Sequence, residues 1–155
     1  METDERIKRI LATTDFYLSR FGRTQVGIFQ LPTTDLDSSW YYVFINTLMV
    51  TLRRWNFMPY YFWIRDIPGN RYILFLWVNG YFRVDISEIT PIVERVWKVH
   101  SPNPVSALGS FALSMESTAE DRDRFLQTAN SVITQSGTFF SPSWHRHTFG
   151  GSQIR

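Results

Sequence analysis

The chain has 155 residues, a formal net charge of +2 and no cysteine. That length is enough for one domain whose core needs no covalent staples. The missing thiols exclude disulfides, thiolate zinc sites and a cysteine nucleophile, and fit a reducing, cytoplasmic setting. The start, Met1 to Arg9, is charged on both signs with no apolar run behind it, so no signal peptide is expected. The apolar stretches near Trp40 to Leu52 and Tyr60 to Ile64 are interrupted or too short to span a bilayer, so no membrane partner is expected.

Fourteen of the 16 basic residues are arginine, leaving only Lys8 and Lys98, and 17% of the chain is aromatic. Arginine's planar fork suits phosphates and flat rings. That composition belongs to a surface that grips nucleic acid or another protein, or equally to an aromatic core rimmed by solvated arginines.

Taken in order, the spacing predicts a helix over Asp4 to Phe21, with Ile7, Ile10, Leu11, Leu18 and Phe21 near one face and Gly22 beyond its end. A strand over Gln25 to Leu31 is closed by Pro32. Thr34 to Ser39 is rich in N-cap residues ahead of a helix over Ser38 to Trp55, where Tyr41, Phe44, Ile45, Leu48, Met49 and Leu52 form the apolar stripe. Arg53 and Arg54 complement the dipole in its last turn.

Tyr60 to Ile67 and Arg71 to Asn79 then read as a hairpin around Pro68-Gly69-Asn70. Tyr72, Leu74, Leu76 and Val78 face one way, and Arg71, Ile73, Phe75 and Trp77 the other. Both sets are largely apolar, so the hairpin is expected to be central and covered on both sides. Asn79-Gly80 marks a turn, and Tyr81 to Val84 can add a short strand. Asp85 or Ser87 can cap a helix over Ile86 to His100. Ala107 to Met115 reads as a strand and Thr118 to Ile133 as the last helix.

The expected fold is therefore α+β: an antiparallel sheet with a βαββαβ, ferredoxin-like core flanked by helices. Its helices lie on one face, and its second face is open or covered by the termini. Residues 1–155 form one domain, with about 137–155 as an irregular C-terminal tail.

The segments Arg53-Arg54-Trp55, Tyr61-Phe62-Trp63-Ile64-Arg65-Asp66 and Gly69-Asn70-Arg71 to Asn79-Gly80, with the ending Arg146-His147-Thr148-Phe149-Gly150-Gly151-Ser152, resemble the YagK/YfjJ and inovirus replication-protein family. The likeness runs with gaps over about two thirds of the chain. It implies an HUH-type endonuclease fold with a five-stranded antiparallel sheet. In such enzymes paired histidines and an acidic residue hold a divalent metal, and a tyrosine attacks the DNA phosphate. Here the paired-histidine position reads Arg71-Tyr72-Ile73, which offers no metal lone pair at either histidine position. Asp66 matches the acidic ligand, and Ser131 to Ser136 contains neither the tyrosine nor the lysine expected after it. The resemblance implies the fold without the chemistry.

His145 and His147 would lie on one side of a strand and could share a metal with Asp66, though no carboxylate is near them in sequence. No Walker, dinucleotide-binding or nucleophile-elbow pattern is present, and no cofactor is expected. Arg65, Arg71, Phe75 and Trp77 could line a basic, aromatic sheet face as in single-strand binders, or Phe75 and Trp77 could be core. Two functions from different classes follow. One is a catalytically inactive module of a phage or other mobile element that binds single-stranded or hairpin nucleic acid through Arg53, Arg54, Arg65, Arg71, Phe75, Trp77 and Arg146. The other is a protein-interaction module that inhibits a host defence or regulatory complex. A residual metal-dependent nicking activity is the third reading.

Overall fold

Ile7, Ile10, Tyr17 and Leu18 give the first helix one apolar side, and that side determines where the helix lies. The computed structural model describes residues 5–32, 40–67, 71–80, 89–137 and 145–148. Helix α1 (Glu5–Phe21) ends at Gly22, whose φ of 77° lies in the left-handed region. The Gly22 N–H donates to the Leu18 carbonyl at 2.8 Å, closing the helix. Then follow β1 (Arg23–Pro32), α2 (Trp40–Arg54), β2 (Phe57–Ile67), β3 (Arg71–Gly80), α3 (Ile89–Trp97), β4 (Ser106–Ser114), α4 (Ala119–Gly137) and β5 (His145–Thr148).

The five strands stand in the order β4-β1-β3-β2-β5, and every neighbouring pair is antiparallel. Strands β1 and β2, joined through α2, leave room for β3 between them, which is the split βαβ arrangement of the ferredoxin-like core. The expected α+β fold, with its βαββαβ run from β1 to β4, is the one observed.

Because the sheet side chains alternate, β3 feeds two cores. Leu74, Leu76 and Val78 meet Phe44, Leu48, Ile89 and Trp97 of α2 and α3. Ile73, Phe75 and Trp77 meet Ile10, Tyr17, Phe125 and Ala129 of α1 and α4. Helices thus lie on both faces, as a hairpin covered on both sides requires, and of the two alternatives for the second face it is the covered one that is observed, with the terminal helices α1 and α4 as the cover. The flanking helices α1 and α4 close the second face because each carries an apolar side that must be buried somewhere.

Several boundaries differ from expectation, among them β2, which begins at Phe57 rather than Tyr60. Asn79 is no turn residue: β3 runs through it to Gly80, and its side-chain amide donates to the Arg23 carbonyl at 3.1 Å and to the Tyr60 hydroxyl at 3.2 Å. Helix α3 stops at Trp97, and the turn after it is closed by the His100 N–H donating to the Trp97 carbonyl at 2.8 Å. The tail, expected to be irregular, contributes β5, which adds to the outer edge of β2. The Thr34 to Ser39 cap region, the Pro68-Gly69-Asn70 turn, the Tyr81 to Val84 strand and the Asp85 or Ser87 cap lie outside the described residues. No helix among the described residues is long and apolar enough to cross a membrane.

Candidate nucleic-acid interface

The residues chosen from sequence do not converge. Phe75 and Trp77 are 2% and 0% exposed, and Arg65 is 2% exposed on the face that α1 and α4 cover. A ring held between a sheet and two helices offers no face to a base, so the basic, aromatic sheet platform is corrected: these positions build the second core. Arg71, half-buried at the start of β3, donates to the Gln30 side-chain carbonyl at 3.0 Å. Ile73 beside it is core. The two positions that the resemblance makes metal-binding are thus occupied by a cross-strand hydrogen bond and a packed aliphatic chain.

Arg53 and Arg54 lie at the other end of the sheet. Strand β2 runs from Phe57, beside the end of α2, to Ile67, next to the hairpin. Ten residue steps of extended chain put about 30 Å between the two arginine groups. The backbone of β5 sets Arg146 opposite Trp63, His147 opposite Phe62 and His145 opposite Ile64, and the backbone of β2 sets Asp66 opposite Tyr72. The side chains of these four lie outside the described part. Among the described residues, no three histidine, aspartate or glutamate side chains come together.

Where α2 ends, the surface has a different character. The helix buries Leu48, Met49 and Leu52, and Asn56 then takes a φ of 67° to turn the chain into β2. Asparagine tolerates that left-handed conformation better than most residues. This stop leaves Trp55 just past the last turn, 55% exposed. Its indole borders an open groove lined by Thr51, Trp55, Phe57, Pro91, Ile92 and Arg95. Pro91 is tolerated because it lies in the first turn of α3, where its missing N–H is no loss. The Thr51 hydroxyl donates back to the Thr47 carbonyl at 2.7 Å, so this wall of the groove presents its methyl group.

One wall of the groove carries a cation, Arg95. Arg54 follows Thr51 by three positions and neighbours the groove, whereas Arg53 lies round the far side of the helix. Arg95 lines the groove directly, and Lys98 is exposed one turn beyond it, with half-buried Glu94 as the acidic neighbour on the same helix. Sequence reasoning singled out Arg53 and Arg54 and missed Trp55 and Arg95. The signal for Trp55 was a tryptophan directly before a helix-stopping asparagine. Nothing in sequence placed Arg95 beside it, because α2 and α3 are separated by the whole hairpin.

Two tyrosines and a histidine have shifted acidities, all through packing. Burial, then the Tyr61 and Tyr60 phenols, push Tyr17 well above the ordinary phenol range, and burial with Tyr42 does the same for Tyr41. Both are held neutral in core positions. His100 packs against the Phe44 and Trp97 rings, each centroid 5.9 Å away, and burial lowers its pKa below 6.5. Compared with family models, with curated proteins and with solved structures, the chain matches none.

Proposed function

We propose that the chain is a non-catalytic, HUH-like module of a mobile genetic element and that it binds single-stranded or hairpin nucleic acid at the α2–α3 groove. The observation that carries this reading is Trp55, an exposed indole at the mouth of an apolar groove, with Arg95 in the wall and Arg54 and Lys98 each about one helical turn from a groove residue. A base stacked on such a ring contributes about 1–3 kcal/mol whatever its identity, while these cations track the phosphates. The non-catalytic part is supported by Arg71 and Ile73, which hold their places through Gln30 and the second core.

The test is binding of labelled single-stranded and hairpin DNA and RNA at two salt concentrations, with and without Mg²⁺ or Mn²⁺, followed by a denaturing gel. Affinity should fall steeply with salt and the strands should stay intact. Trp55→Ala should weaken binding about tenfold or more. Arg95→Ala should weaken it and lower the salt slope by about one. Cut strands in the presence of metal would overturn the non-catalytic part. Undiminished binding by both variants would remove the groove.

A protein partner is the second reading, favoured by the outer face of α2. There Tyr42, Val43 and Val50 are 61%, 51% and 49% exposed. A complex that survives high salt and is lost in Val43→Asp, with no nucleic-acid binding at low salt, would favour it.

A further inference from the structure

Strand β4 forms one edge of the sheet, and among the described residues it pairs only with β1. Natural edges are blunted by charge, proline or a bulge. Residues 105–115 carry no charge and no proline. A bulge at Leu108, where the register with β1 shifts between Ile28 and Phe29, leaves Gly109 to Ser114 in regular pairing. The side chains of Ser110 and Ala112 are exposed, as are Leu108 at 38% and Met115 at 71%.

The hydrogen-bond phase of this edge can be read directly. The Met115 N–H donates to the Gly22 carbonyl at 3.2 Å, and the register runs Arg23↔Ser114, Thr24↔Leu113, Gln25↔Ala112, Val26↔Phe111. Antiparallel pairs alternate between bonded and non-bonded, so Met115, Leu113 and Phe111 turn their backbone groups to β1. Ser110, Ala112 and Ser114 turn theirs outward. The Ser114 N–H is taken by the Ser117 hydroxyl at 2.8 Å. That leaves the N–H and C=O groups of Ser110 and Ala112 as the outward set.

This set is self-complementary. A second antiparallel strand of the same sequence can place its Ala112 opposite Ser110 and its Ser110 opposite Ala112, and each of those two pairs exchanges two hydrogen bonds. The same register sets Phe111 opposite Phe111 of the second copy, and Gly109 opposite Leu113, a small residue against a large one. A two-fold axis demands this reciprocity, in which residue i meets j and j meets i. The cleft beside the edge, lined by Ser110 to Leu113, Asp121 and Arg124, contributes one charge of each sign, so two copies meet without unbalanced charge.

We infer that a second copy of this chain docks antiparallel on β4, centred on Phe111, and joins two five-stranded sheets into one. The inference rests on β4 and is independent of the α2–α3 groove. The test is the mass of the full chain by light scattering and sedimentation equilibrium over a wide concentration range, for the wild type, Ala112→Pro and Ala112→Lys. Proline removes an outward N–H that β1 does not use, and lysine adds a charge at the join, so β1–β4 pairing should survive in both. A wild-type dimer with both variants monomeric and unchanged in far-ultraviolet dichroism is the expected result. If Ala112→Pro does not fold, Ala112→Lys decides alone. A monomeric wild type overturns the inference and leaves the edge to a foreign strand. A folded lysine variant that stays dimeric places the interface elsewhere and overturns it equally.

Discussion

In the second core, the Trp77 indole N–H donates to the Thr14 hydroxyl at 3.0 Å, and that hydroxyl donates in turn to the Ile10 carbonyl at 2.8 Å. Both side chains are fully buried, so water is no alternative partner for the indole. Thr14→Val keeps the shape and removes the acceptor. It should destabilise the protein by about 1–3 kcal/mol, read as a lower urea midpoint at unchanged slope. An unmoved midpoint would mean that the indole finds another acceptor. This pair also shows why Trp77 could not be assigned from the chain alone. Its alternation with Leu76 and Val78 is the same whether the face it joins is buried or exposed. The choice depends on Thr14, 63 positions away.

At the level of elements, punctuation was the most legible feature. Gly22 was expected to follow α1 and does, at a φ of 77°. No atom lies near the Cβ that an alanine would add there, so the cost of Gly22→Ala is backbone strain alone, about 1 kcal/mol of stability. A calorimetric loss near that size, with binding unchanged, is the expected outcome. The spacing starts the last helix at Thr118. It is the cap: its hydroxyl accepts from the Asp121 N–H at 3.2 Å, and its own N–H donates to the Asp121 carboxylate at 3.3 Å. The Arg124 hydrogen bond, and after it that reciprocal pair with Thr118, hold the Asp121 carboxyl below its ordinary pKa. The far end of α4 was less legible. The helix runs past Ile133 to Gly137 because a helix already formed extends cheaply through polar residues that show no apolar period. Asn79 misled in the opposite sense. Its turn chemistry is satisfied inside a strand, by Arg23 and Tyr60 across the sheet.

For the molecule as a whole, stability depends on pH through groups whose proton affinity differs between folded and unfolded chains. His100 has a folded pKa below its unfolded value of 6.5. The unfolded chain therefore binds its proton first. Stability is full above pH 6.5 and declines as pH falls through 6.5 toward the lower folded value. Denaturation midpoints should drop over that window in the wild type and drop less in His100→Gln, the difference isolating this ring from other titrating groups. Parallel curves for the two proteins would assign the pH dependence elsewhere.

The sequence by itself determined the βαββαβ order, the two apolar faces of Arg71 to Asn79 and the absence of thiol chemistry. Periodicity, turn residues and composition are local properties, and local properties are written in the chain. Tertiary structure alone decided that α1 and α4 close the second face, and that Arg65, Phe75 and Trp77 are therefore core. It also decided that Trp55 and Arg95 meet across a groove, and that β4 presents the backbone of Ser110 and Ala112 outward. Each of these depends on which distant segment fills the neighbouring space. Packing against partners far away in sequence settles that, and no pattern within a single element records it.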